Sequence, residues 1–162
     1  MITTRSRHVP RRVWLAFAAA CCVAPLGALS GAQAPVSPED RKRRSIAESQ
    51  HEIVMLHIDR KEYTKAVEEA GKIFQMNWPA DKEPTLLKSI LIYADRLISQ
   101  KQEPLALQLL EANFKTFRTN ESKIAILKEQ GFLHRQLNQS TKALDCFREA
   151  QRLEKQSTER PD

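Results

Sequence analysis

The stretch from Leu127 to Leu153 constrains the fold more than any other, because it encodes two short amphipathic helices separated only by a break at Leu137 to Ser140. Leu127, Gly131 and His134 fall on one helical stripe, and Ala143, Phe147, Ala150 and Leu153 on another, at steps of three and four residues. Stripes joined by so short a break must face each other as an antiparallel hairpin. Gly131 and Ala143, twelve residues apart, are then the small residues where the two helices pass closest, and Phe147 and Ala150 close the interior.

One hairpin cannot bury its own apolar face, so sister units are expected upstream. Two are present. Ala94 and Ala106 are again twelve apart, with Leu110 following Ala106 by four as Phe147 follows Ala143. Val54 and Ala66 repeat the spacing, Ala70 follows by four, and Pro79 closes the unit. From Ala66 to Ala106 is 40 residues and from Ala106 to Ala143 is 37, while the inner spacing of twelve never changes. The variable length therefore belongs between units, in NWPADKEP and RTNESK, both rich in helix breakers or capping residues.

The pattern resembles the tetratricopeptide repeat, a helix-turn-helix unit of about 34 residues with a small residue in its first helix and Ala, aromatic, Ala in its second. Gly131, Ala143, Phe147 and Ala150 match that core, and Tyr63 holds the aromatic turn position of the first unit. Departures are Leu127 in place of Trp, His134 in place of Tyr, Asn138 in place of the turn Gly and Lys155 in place of Pro. The resemblance implies an all-α, right-handed superhelical solenoid of three units, about residues 47–80, 87–120 and 124–157, within a domain spanning 37–155; residues 156–162 are expected to fray.

Residues 1–32 differ from the rest. Arg5, Arg7, Arg11 and Arg12 precede the apolar run VWLAFAAACCVAPLGAL and the small-residue zone SGAQA, which is the layout of a secretory signal peptide. Cleavage fits after Ser30 or after Ala32; Ala32 is preferred, and cutting after Ala34 would set Pro35 beside the scissile bond. Residues 33–36 then form a short linker. The expected localisation is export, periplasmic or secreted. Arg11-Arg12-Val13-Trp14-Leu15 also resembles a twin-arginine signal, and Ala18-Ala19-Ala20-Cys21 a lipobox, which would anchor the chain through a lipid on Cys21. An uncleaved anchor from Val13 to Ser30, 18 residues, is a further alternative, although Pro25 and Gly27 suit a signal better.

Losing the four leader arginines leaves 22 basic residues against 20 acidic ones and lowers the formal charge from +6 to +2. With no basic stripe interleaved with aromatics, and with export, nucleic acid is not an expected partner. Cys146 is the one cysteine outside the leader, so no intramolecular disulfide is available, and it reads as a small apolar filler. Ser37 and Pro38 start the folded region as cap and first helical residue, with Asp40 completing a capping box. A helix is expected from there to about Asp59, and Arg41-Lys42-Arg43-Arg44 reads as a solvated face of it, with contact to anionic lipid or another envelope polymer as the alternative.

Catalytic signatures are missing: no glycine-rich phosphate loop, paired-cysteine zinc pattern, HExxH or GxSxG occurs. Glu48 and His51 make one Glu-x-x-His pair, but a di-metal helical centre needs two, so no metal or cofactor is expected. His57 and His134, at equivalent places, read as rings packed between helices with one nitrogen satisfied. The chain is thus expected to be a non-catalytic interaction module. In proteins it resembles, the first helices of successive units line a concave groove for a peptide or a partner's helix. Carried over, that groove holds Met55 and Ile58 from the first unit, Lys88, Leu91, Asp95 and Ile98 from the second, and Lys128, Phe132 and Arg135 from the third. An apolar groove rimmed by cations suits a mixed hydrophobic and acidic segment of a protein or peptide partner. The alternatives are that Met55, Leu91 and Phe132 pack against neighbouring units, or that self-association into a homo-oligomer fills the groove.

Overall fold

The computed structural model describes residues 37–159. The leader and linker expectations for residues 1–36 lie outside the described residues, as does the end of the chain beyond 159. Six helices follow in order: α1 (Pro38–Asp59), α2 (Tyr63–Gln75), α3 (Glu83–Ser99), α4 (Glu103–Asn113), α5 (Asn120–Gln136) and α6 (Ser140–Thr158), with single 3-10 turns at Ala80–Lys82 and Phe114–Thr116. Among the described residues no helix is long and apolar enough to cross a membrane.

Local chemistry explains where the helices begin. The Ser37 hydroxyl accepts from the Asp40 amide at 3.0 Å and Pro38 opens α1, as its sequence requires. Pro84 lies inside the first turn of α3 and Pro104 inside that of α4, positions where a missing amide hydrogen costs nothing. Helix α5 begins at Asn120 because Thr119 is its cap and accepts from the Ser122 amide. Helix α6 runs to Thr158, and the Ser157 and Thr158 hydroxyls donate to the carbonyls of Leu153 and Glu154.

The three hairpin turns are copies of one another. Lys61, Lys101 and Asn138 all take left-handed backbone conformations, at φ of 61°, 60° and 59°. Each is followed by an amide that reaches back to the carbonyl of His57, Leu97 or His134, at 2.8, 2.9 and 2.8 Å. This six-to-one closure ends the first helix and lets the next residue start the second without a linker. In the outer two turns a side chain adds a second tie: His57 Nδ1 to the Glu62 carboxylate at 2.6 Å, and His134 Nδ1 to Gln139 Oε1 at 2.7 Å. Both histidines therefore brace turns with one ring nitrogen satisfied.

Helices α1 and α2, α3 and α4, and α5 and α6 pack as antiparallel pairs, while α4 lies against both α2 and α5. The small residues expected at the crossings are all buried: Val54, Ala66, Ala94, Ala106, Gly131 and Ala143. Around them Ile90, Leu97, Leu109, Leu110, Ile126 and Leu133 build a continuous core, with a smaller cluster of Leu127, Ala150 and Leu153 in the third pair. An aromatic seam joins the first two pairs, with Phe74 edge-on to Tyr93 at 6.4 Å and Phe117 at 6.3 Å from Phe74. Buried Glu83 ties the start of α3 to the start of α5 by accepting from the amides of Arg118 and Thr119 and from the Thr119 hydroxyl. Burial alone would raise its pKa, but these bonds and the Ser122 hydroxyl hold the carboxyl below its ordinary value.

Candidate functional site

Arg44, Ala47, Glu48 and His51 share one stripe of α1, and Thr85, Leu86, Ser89 and Tyr93 one stripe of α3. These stripes face a cleft of about 450 Å³, closed at one side by Ile73 and Trp78. Trp78 is fixed by its indole N–H, which donates to the Ile73 carbonyl at 2.7 Å, and the Arg43 guanidinium lies 5.9 Å from the centre of its ring. At the deep end the Tyr93 hydroxyl and His51 Nδ1 are hydrogen-bonded at 2.7 Å. Burial, with the nearby Glu52 charge, pushes the Tyr93 phenol up to about 12, so it stays protonated and is available as a donor. With the hydroxyl donating, the imidazole proton sits on Nε2.

The cleft has an apolar floor of Ala47, Ile73 and Leu86, an aromatic wall and a rim of both signs, Arg44 and Lys82 against Glu48 and Glu52. Such a surface can grip an apolar side chain and orient it through flanking polar groups. Glu48 and His51 do lie together, but His51 is engaged with Tyr93, and among the described residues no group of three or more potential ligands gathers for a metal. Cys146 is half-buried, and burial, Glu111 and Asp145 push its thiol up, away from the reactive thiolate.

The residues expected to line a groove differ in exposure. Ile58 is a correction: it is only 5% exposed, because it follows Val54 by four residues and shares that residue's inward stripe. Met55, Leu91 and Ile98 are half-buried and pack on the core. Lys88 and Asp95 are exposed without joining the cleft. In the third hairpin Phe132 and Arg135 lie together in the open. Phe132 is 44% exposed, its ring edge-on to Phe147 at 5.2 Å, with the Arg135 guanidinium 5.5 Å from its centre. Lys128 pairs with Glu154 at 2.6 Å beside a shallow depression of about 270 Å³ that Leu144, Phe147 and Arg148 also line.

Sequence reasoning missed most of the cleft. His51 attracted notice only as half of a metal pair, and Trp78 only as part of a connector. The available signal was that Ala47 and His51 continue the Val54 and Ile58 stripe of α1 toward its start, together with a tryptophan in a loop anchored by Pro79. No family of proteins, curated protein or solved structure matches this chain.

Proposed function

We propose that the chain is an exported, non-catalytic protein-interaction module: a right-handed solenoid of three tetratricopeptide-like units that binds a peptide or helix of a partner on its first-helix side. The observation that carries this reading is the open cleft between α1 and α3, apolar at its floor and charged at its rim, built from the first helices of two consecutive hairpins. The three superposable turns and the constant spacing of small residues support the repeat assignment. Their 40- and 37-residue offsets place equivalent residues of successive hairpins in equivalent roles, as stacking of like units requires. The partner segment is an extended or helical stretch that inserts one large apolar side chain between Trp78 and Leu86 and meets Arg44 and Lys82 with acidic neighbours.

Half-buried Ser89 provides the test, because Ser89→Arg fills the cleft from its rim without entering the core. Proteins co-purifying with the wild type from the native envelope should be lost with the variant while melting is unchanged. An identical co-purifying set would remove the cleft as the binding site. N-terminal sequencing of protein recovered outside the cytoplasm should begin near Gln33; intact Met1 in the soluble cytoplasm would overturn export.

A further inference from the structure

The two end faces of the row of hairpins are finished differently. In the first hairpin, the positions that Ile90 and Leu109 hold in the second are taken by Gln50 and Glu69, offset by 40 residues in each case. Ile90 and Leu109 are fully buried, whereas Gln50 Nε2 donates to the Glu69 carboxylate and to the Glu69 carbonyl at 3.2 Å. That pair puts a polar contact on this side of the first hairpin, although Ile46, Ile53 and Leu56 of α1 are also exposed.

The third hairpin carries no such pair. The residue directly after the crossing alanine is Val67, Leu107 and Leu144 in the three units, and the residue four after it is Ala70, Leu110 and Phe147. Val67 is 8% and Leu107 7% exposed, but Leu144 is 53% exposed, and Phe147 is only half-buried against exposed Phe132. The apolar band along which the hairpins pack thus continues onto an open face. Its border is basic. Leu144, Arg148, Gln151 and Lys155 run along one side of α6 at steps of four, three and four, and Arg135 stands across on α5. Arg135, Arg148 and Lys155 make no ion pair among the described residues, whereas the acid at this face, Glu154, is held by Lys128.

We propose that this face binds an amphipathic helix of another protein, apolar toward Phe132, Leu144 and Phe147 and acidic along its flanks. Charge selects this occupant over a second copy of the chain, because two copies joined through this face would bring the same cations against each other. The site is separate from the cleft, so its fate and that of the cleft are decided independently.

The probe is a synthetic helix of the length of α5, 17 residues, with leucines on one side and glutamates on both flanks, and a counterpart with lysines on the flanks. Titrated against the labelled full chain, the glutamate helix should bind saturably and shift the amide resonances of Leu144 and Arg148. The lysine helix should bind about ten-fold more weakly or not at all, and the difference should shrink in high salt. Leu144→Glu, at an exposed position, should leave melting unchanged and abolish binding, while Ser89→Arg should leave binding intact. Equal binding of the two helices, absence of saturable binding, or shifts confined to the cleft would overturn the proposal. A dimer in sedimentation equilibrium that Leu144→Glu dissolves would also overturn it, assigning the face to a second copy.

Discussion

Gly131→Ala is the sharpest test of how α5 and α6 are packed, since the sign of its effect depends on one neighbour. A Cβ built at Gly131 would lie 2.7, 2.8 and 3.0 Å from three atoms of the Phe147 ring, closer than carbon atoms can sit. In an open helix the change should stabilise by about 1 kcal/mol, because glycine is the poorer helix former. Here the ring must swing away, losing its edge-on contact with Phe132 and part of its packing, at an overpacking cost of about 1–3 kcal/mol. The net expectation is a destabilisation of about 1 kcal/mol, from overpacking set against the gain in helix propensity. In a Phe147→Ala background the obstacle is gone, and the same substitution should stabilise by about 1 kcal/mol. A double-mutant cycle in urea, followed by far-ultraviolet circular dichroism, should thus give a coupling of about 2 kcal/mol between the two sites. Gly131→Ala more stable than wild type in both backgrounds would refute the close crossing and with it the central argument for the hairpin.

Replacing Lys101 by Gly should stabilise the chain by about 0.5 kcal/mol in urea unfolding, as relief of the left-handed strain outweighs the added freedom of the unfolded chain; loss of stability would mean that the turn does not hold this conformation. Glu83, with its folded pKa lowered, contributes stability that is present above its ordinary value near 4.5 and is lost as pH falls through the folded pKa. Glu83→Gln should therefore lower melting near neutral pH and flatten the decline of melting temperature in acid; an unchanged slope would show that other carboxylates carry it. Phe132→Ala should cost only about 0.5–1.5 kcal/mol, the worth of its aromatic pair, because the ring is exposed; a loss of about 3–5 kcal/mol would place it in the core.

The hairpins were legible because their determinants are local. A twelve-residue spacing of small residues across a short break specifies which residues cross, and Val54 with Ala66, Ala94 with Ala106 and Gly131 with Ala143 are buried as that spacing demands. Helix ends were less legible where a side chain outside the periodic stretch decides them. Thr119 sets the start of α5 as its cap, and its hydroxyl is positioned in part by Glu83, 36 residues away. The cleft was legible least. Its lining combines α1, α2, α3 and a loop, and periodicity along one helix does not report how far that helix is rotated toward another. Ile58 shows the size of the error: a rotation that turns it inward is enough to move a residue from groove to core.

Leu107 and Leu144 make the general point about the site. They are the same amino acid at the same register, one residue after the crossing alanine of consecutive hairpins, on helices of the same kind. One is 7% exposed and the other 53%. Nothing in the local sequence of either distinguishes them, because burial at this position is decided by whether another hairpin packs alongside. A repeat pattern therefore marks both as core, and only the arrangement of the whole row reveals which of them is left for a partner. The reverse substitution at the opposite end, Gln50 and Glu69 where the second hairpin has Ile90 and Leu109, puts a polar contact on that side of the first hairpin. The apolar, cation-bordered face at Phe132, Leu144 and Phe147 is the surface proposed above for an acidic amphipathic helix, and its basic border is the feature that the charge-reversed probe tests.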